Sequence, residues 1–150
     1  MHQEPVTRDW LQAGEIACIR RGFSTVAADA DRFTADFYAR LFELAPTLRP
    51  LFPDDLSSQR DKLKHMLVML VAALDRPDAL RPTLATLGDR HRSYGVVKAD
   101  FIVVGRALID TLGAHLGEQF GSTERSAWTA LYSRITAIMT MGTAHAAAAA

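Results

Sequence analysis

The stretch Leu80-Arg81-Pro82-Thr83-Leu84-Ala85-Thr86-Leu87-Gly88-Asp89-Arg90-His91-Arg92-Ser93-Tyr94-Gly95-Val96 carries one histidine, and the direction of that histidine decides how the chain is read. Leu80, Leu84, Leu87 and His91 follow at steps of four, three and four, so they share one helix face. His91 therefore points where the leucines point, into a core. Gly95 is suited to end the helix just beyond it, which puts His91 in the last turn, where carbonyls lack intrahelical partners. A carbonyl one turn earlier, such as that of Leu87, is placed to accept the Nδ1–H and leave Nε2 as a neutral metal ligand. The spacing alone leaves two readings: a buried structural histidine bonded to a polar neighbour, or a ligand.

Working outward, the periodicity is helical nearly everywhere and no segment alternates for long as a half-buried strand would. The pattern predicts helices at about Thr7–Thr25, Asp29–Leu44, Ser57 or Ser58 to Asp75, Arg81–Tyr94, Lys98–Leu116 and Ser122–Met141. Trp10, Ile16, Ile19 and Phe23 are the core candidates of the first, and Phe33, Phe37, Leu41 and Leu44 those of the second. Leu63, Met66, Leu67, Leu70, Val71 and Leu74 form the clearest apolar stripe, preceded by Ser57 or Ser58 as a cap. Pro46, Pro50 and Pro53 make a compact corner around Leu51-Phe52, while Pro77 and Pro82 separate the stripe from the His91 helix. Gly117 and Gly121 mark the turn before the last helix. The closing run His145-Ala146-Ala147-Ala148-Ala149-Ala150 either frays or extends that helix. The expectation is an all-α fold of six to eight helices, one domain over residues 1–150.

Composition narrows the function. Lys plus Arg and Asp plus Glu are equal at 17 each, so no basic excess points to nucleic acid. Cys18 is the single cysteine, which rules out an internal disulfide and suits a reducing compartment; a cytoplasmic location is expected. Glu4, Arg8 and Asp9 stand where a signal peptide needs an apolar run. Met66 to Leu74 is far too short an apolar stretch to cross a bilayer, so no membrane insertion is expected. No glycine-rich phosphate loop follows a strand.

Two polar residues share faces with core positions. Gln59 lies one turn before Leu63 and either donates to a ligand or sits at the solvent edge. Tyr38, beside Phe37, needs a partner if buried and otherwise reaches water. No second His, Cys or carboxylate joins His91 on its stripe to complete a protein-only metal site. A one-histidine site makes chemical sense where a porphyrin supplies the other ligands, with Tyr38, Gln59 and Leu63 lining the remaining face. His65 turns away from Leu63, and nothing around His115 is patterned as a site. Trp128 and Tyr132, one turn apart, read as core and helix-contact residues.

Four segments carry a more specific likeness: Phe37-Tyr38-Ala39-Arg40-Leu41-Phe42, Pro46 to Phe52, Ser57 to Leu63, and Leu87 to Val96. With Ala127-Trp128 and Tyr132, their order and spacing resemble single-domain bacterial globins of the flavohaemoglobin and neuroglobin-like branch, over residues of about 15–141. The resemblance implies a globin fold around one haem b (iron protoporphyrin IX) per chain. It makes His91 the proximal iron ligand and Phe52 the aromatic residue packed on the haem. Gln59 falls at the distal position, Tyr38 where related globins place an oxygen-bonding tyrosine, and Leu63 over the iron. Lys62 becomes a propionate partner, and Leu67, Tyr94, Val96, Phe101 and Val104 pocket residues. Gln59 stands where neuroglobin itself has the histidine that closes the sixth site, so an open distal site is expected.

The function implied is reversible dioxygen binding for storage, delivery or scavenging, with high affinity and slow release. Carbon monoxide is expected to gain less from the distal donors. Nitric oxide dioxygenation with an external reductase is the alternative, and a sensor or haem-free interaction module the third. Two departures count against self-contained nitric oxide chemistry. No FAD- and NAD-binding reductase domain falls within these residues. Phe101 and Thr143 replace the tyrosine and glutamate that flavohaemoglobins place behind the proximal histidine.

Overall fold

In the computed structural model the backbone is described for residues 10–149 and side chains for 10–140. The element order is α1 (Ala13–Ala27), α2 (Ala30–Leu44), a 3₁₀ turn (Pro46–Leu51), α3 (Ser57–Ala72), α4 (Pro77–Ser93), α5 (Lys98–Leu116), a second 3₁₀ turn (Gly117–Gln119) and α6 (Ser122–Ala149). Among the described residues there is no strand, and the all-α expectation holds. Three helices open on one device. The third helical residue is an acid whose carboxylate accepts the N–H of the residue just before the helix. Glu15 serves Gln12 at 2.8 Å, Asp100 serves Val97 at 3.0 Å and Glu124 serves Gly121 at 2.9 Å.

Several boundaries differ from the expected ones, each for a physical reason. Thr7 lies outside the described residues, and Trp10 precedes α1 with its indole N–H donating to the Leu74 carbonyl at 2.7 Å. That bond removes an orphan carbonyl beyond the end of α3. Arg20 removes others, its guanidinium donating to Val71 O at 3.2 Å and Ala72 O at 3.1 Å. These tertiary caps accompany the end of α3 at Ala72, where periodicity alone ran it to Asp75. At its start, Asp55 rather than Ser57 or Ser58 does the capping: its carboxylate accepts both the N–H and the hydroxyl of Ser57. Those two bonds hold the Asp55 carboxyl below its usual range, the hydroxyl first. Helix α4 begins at Pro77, four residues before the expected start, because proline at the first helical position sacrifices only an N–H that has no partner anyway. Pro82 is accommodated inside it. The alanine-rich tail continues α6 to Ala149.

Packing sorts the helices into pairs: α4 lies along α6, α2 along α5, and α1 across α5 and α6. Helices α3 and α4 make no extended contact with one another, although a short turn joins them. Two apolar clusters result. One gathers Ile19, Phe33, Leu70, Leu74, Leu80, Leu84, Leu112, Trp128 and Leu131. The other gathers Phe37, Tyr38, Leu41 and Ala107, with Phe42, Phe52 and Val104 at its margin. Leu63 and Leu108 pack against both.

Helix α4 seats on α6 at Gly88, where a Cβ would stand 2.3 Å from the Met139 carbonyl oxygen. No side chain fits there without moving one helix. Gly88→Ala should therefore cost about 1–3 kcal/mol through overpacking. Gly14→Ala, facing open space in α1, should instead be neutral or stabilising by up to about 1 kcal/mol. Urea denaturation of both variants beside the parent checks the pair; equal stability at Gly88 would contradict the tight approach.

Candidate functional site

His91 sits in the last turn of α4, and its Nδ1 lies 2.7 Å from the Leu87 carbonyl oxygen. A carbonyl only accepts, so Nδ1 carries the proton and Nε2 keeps its lone pair for a metal. The chain turns sharply just beyond: Gly95 adopts φ +84°, and the Val96 N–H donates to the His91 carbonyl at 3.0 Å. That turn brings α5 back past the histidine, with the Phe101 ring 6.0 Å from the imidazole, centroid to centroid. Phe101 is held from behind. The Tyr132 hydroxyl on α6 donates to its carbonyl at 2.5 Å, and the Tyr132 ring lies over Gly105. Burial pushes the Tyr132 phenol far above its ordinary range, against a smaller opposing pull from the Gly105 backbone.

Tyr38 is buried at 6 % exposure on α2, among aromatic rings. Its ring meets those of Phe37 at 5.0 Å, Phe52 at 5.8 Å and Phe42 at 6.1 Å. Burial pushes its phenol up, against a smaller opposing pull from the Gln59 side chain. The hydroxyl stays protonated at neutral pH. Leu63 and Val104 pack against the same cluster.

Phe52 is positioned by a residue that the periodicity passed over. Arg49 donates from Nη1 to the carbonyls of Phe52 at 3.2 Å and Pro53 at 3.0 Å, and from Nη2 to that of Asp54 at 3.1 Å. Its guanidinium also stands 5.2 Å over the Phe42 ring. The proline spacing of the corner was readable, but an arginine turned back onto its own loop leaves no periodic trace.

The remaining candidates divide. Leu67 is buried in the larger cluster, and Val96 and Phe101 are half-buried. Lys62 is exposed and makes no ion pair among the described residues. Tyr94 is 71 % exposed, so the structure does not bring its side chain to His91. It occupies the cap of α4, where its N–H meets the carbonyls of Arg90 and His91. The Thr143 side chain lies outside the described residues. His65 bonds the Asp61 carbonyl and His115 faces Asp36, both at 2.8 Å. Trp128 is a buried core residue and Tyr132 a helix-to-helix contact. Among the described residues no three His, Cys, Asp or Glu side chains gather to hold a metal, and no helix is long and apolar enough to cross a membrane.

The residues suit a haem. They offer one imidazole nitrogen with its tautomer set by the Leu87 carbonyl, aromatic and aliphatic side chains for a flat apolar ring, and two polar side chains, Tyr38 and Gln59. Comparison with known proteins agrees with that reading. The Globin family model matches residues 35–139. Neuroglobin-1 of Oncorhynchus mykiss is 31 % identical over 146 residues, covering 88 % of this chain and 92 % of its own. Neuroglobins of Dissostichus mawsoni and Danio rerio are each 36 % identical, covering 70 % of this chain and 75 % of theirs. The chain belongs to the globin family, whose members bind gases through haem. The relatives are fish neuroglobins; they give no support to a bacterial or flavohaemoglobin branch in particular.

Tyr38 and Tyr132 both have raised folded-state values, which sets a sign for alkaline stability. Their contribution is complete below the unfolded tyrosine value of about 10 and is lost as pH rises through the folded values. Urea midpoints should hold steady up to about pH 9 and fall above about pH 10. Tyr132→Phe should soften that fall and cost about 1 kcal/mol at pH 8, because the Phe101 carbonyl loses its donor.

Proposed function

We propose that this globin binds dioxygen reversibly, on one haem b held through His91 Nε2. The observation that carries the reading is the Nδ1 contact to the Leu87 carbonyl, which leaves Nε2 as the free, unprotonated nitrogen. Haem, when bound, would be held by His91 and would supply the iron chemistry that binds a diatomic gas. The protein supplies the rest. Phe52, Leu63 and Val104 exclude water from the ring, and Lys62 reaches from the surface of α3 to neutralise a propionate. Phe101 fixes the plane in which the imidazole stands.

Tyr38 and Gln59 give the distal side its selectivity. A phenol kept neutral by burial is a donor at every physiological pH, and the amide beside it has N–H groups to spare. A diatomic gas that draws electron density from iron is stabilised by such donors, and a less polar one gains less. One such bond contributes roughly 0.5–1.5 kcal/mol, more when the acceptor carries charge. Gln59 has no imidazole to offer an iron, so it would leave the distal side free for a gas.

Visible spectra of the ferric, ferrous and oxygenated protein beside His91→Ala are the test. The parent should show a Soret band and a stable oxy form, both lost or greatly altered in the variant. Failure of the parent to take up haem would defeat the reading, and a six-coordinate ferrous spectrum without added ligand would defeat the open distal site. Tyr38→Phe and Gln59→Leu should each speed oxygen release by about 3- to 10-fold, at about 1.4 kcal/mol per decade. Stopped-flow displacement by carbon monoxide measures it.

A further inference from the structure

A broad groove of about 1370 Å³ runs between the end of α4, α5 and α6. Neither His91, Tyr38 nor Gln59 lines it, although Val96 and Phe101 of the candidate pocket do. Its α5 wall reads Lys98, Ile102, Arg106, Ile109, at helical steps that keep all four on one face. At 1.5 Å per residue that wall is about 17 Å long. Ile102 is 66 % exposed and Val97, at the groove's α4 end, 58 %. Large aliphatic side chains left this open beside one another mark a surface that meets something apolar. The opposite wall, on α6, is a row of hydroxyls, Thr129, Ser133, Thr136 and Thr140, above the Tyr132 ring.

Cations outnumber carboxylates along this apolar channel. Arg92, itself paired with Asp89, borders it with Lys98, Arg106 and Arg125, beside the single carboxylate of Asp110. That carboxylate is already taken, by Arg40 at 2.8 Å, and reaches Arg106 only at 3.9 Å. Lys98 and Arg125 make no ion pair among the described residues, though Arg125 stands 5.4 Å over the Phe120 ring. In a chain of zero formal net charge, a cluster of cations along an apolar channel is a local asymmetry. A second copy on this face would set those cations against their own kind, which costs energy.

We propose that the α5–α6 groove binds a single-chain anionic amphiphile, a long-chain fatty acid, with its alkyl tail along Ile102 and Ile109 and its carboxylate among the cations. A long alkyl chain suits a groove that is elongated and mostly apolar. The bare carboxylate suits a border where Lys98 and Arg125 have no ion pair among the described residues, beside the Thr129 and Ser133 hydroxyls, since those of Thr136 and Thr140 already donate to α6 carbonyls. Its binding is read by heat and not by colour, so it is distinguishable from ligand binding at the proposed haem site.

Isothermal titration of laurate and of methyl laurate, both below micelle formation, into the haem-loaded protein tests it. Laurate should bind one per chain and its methyl ester at least about tenfold more weakly. Lys98→Glu with Arg106→Glu should weaken laurate by about tenfold or more, and Ile102→Asp should abolish binding. These positions are on the surface, so the variants should fold, as circular dichroism will show. No binding by the parent, or equal binding of acid and ester, overturns the proposal. Binding that survives both sets of substitutions and shifts the Soret band places the ligand in the haem pocket instead, which also overturns it. So does a parent dimer, seen by sedimentation, that Ile102→Asp dissociates, or binding confined to vesicles of anionic phospholipid.

Discussion

The close approach of α4 to α6 at Gly88 is the constraint on which the site depends. Two helices whose backbones meet through a missing side chain cannot slide without losing the fit, so the C-terminal turn of α4 is held in place. Arg92 adds a second anchor one turn on, donating to the same Met139 carbonyl at 3.0 Å. His91 lies between these two fixed points. Its ring needs only one further bond, to Leu87 O, to have both its position and its tautomer determined. A ligand that must hold a metal from one side alone gains from such rigidity, because no neighbouring ligand exists to correct a misplaced ring.

The opposite wall is built on different physics. Tyr38, Phe37, Phe42 and Phe52 meet mostly edge to face, the arrangement that aromatic quadrupoles favour. Arg49 closes the corner by taking up three carbonyls that a short loop would otherwise leave to water. One wall is thus fixed by helix packing and the other by an aromatic cluster with an arginine clamp. They communicate through Leu63 and Leu108, which touch both apolar clusters.

The parts that follow from periodicity and local chemistry were legible. The leucine stripe ending in His91 predicted the Leu87 acceptor, which is present, although the imidazole itself is half-buried and not in the core. The helix count and the proline corner were legible for the same reason. What was missed depends on contacts between residues distant in sequence. The end of α3 is met by Arg20 and Trp10, more than fifty residues away, and no local rule reads such a cap. Pro77 read as a separator, although at a helix start it is permissive. Tyr94 belongs to the His91 motif by order along the chain, yet a cap position turned its side chain to solvent. The packing of Leu63 against the Tyr38 cluster joins two helices whose relative placement no single stripe encodes.

The groove and the proposed haem site share more than proximity. Phe101 and Val96 border the groove and also belong to the candidate pocket around His91. Tyr132 lies under the groove and holds the Phe101 carbonyl. A chain laid in the groove would therefore press on the residues that set the plane of the imidazole, without approaching the distal donors. Any coupling between the two sites has to be carried by that shared wall, and by linkage it must act equally in both directions. Occupation of one site would alter affinity at the other only so far as Phe101 differs in its contacts between the empty and filled groove. A residue bonded at its carbonyl and placed between the groove and the His91 imidazole is where such a difference would be largest.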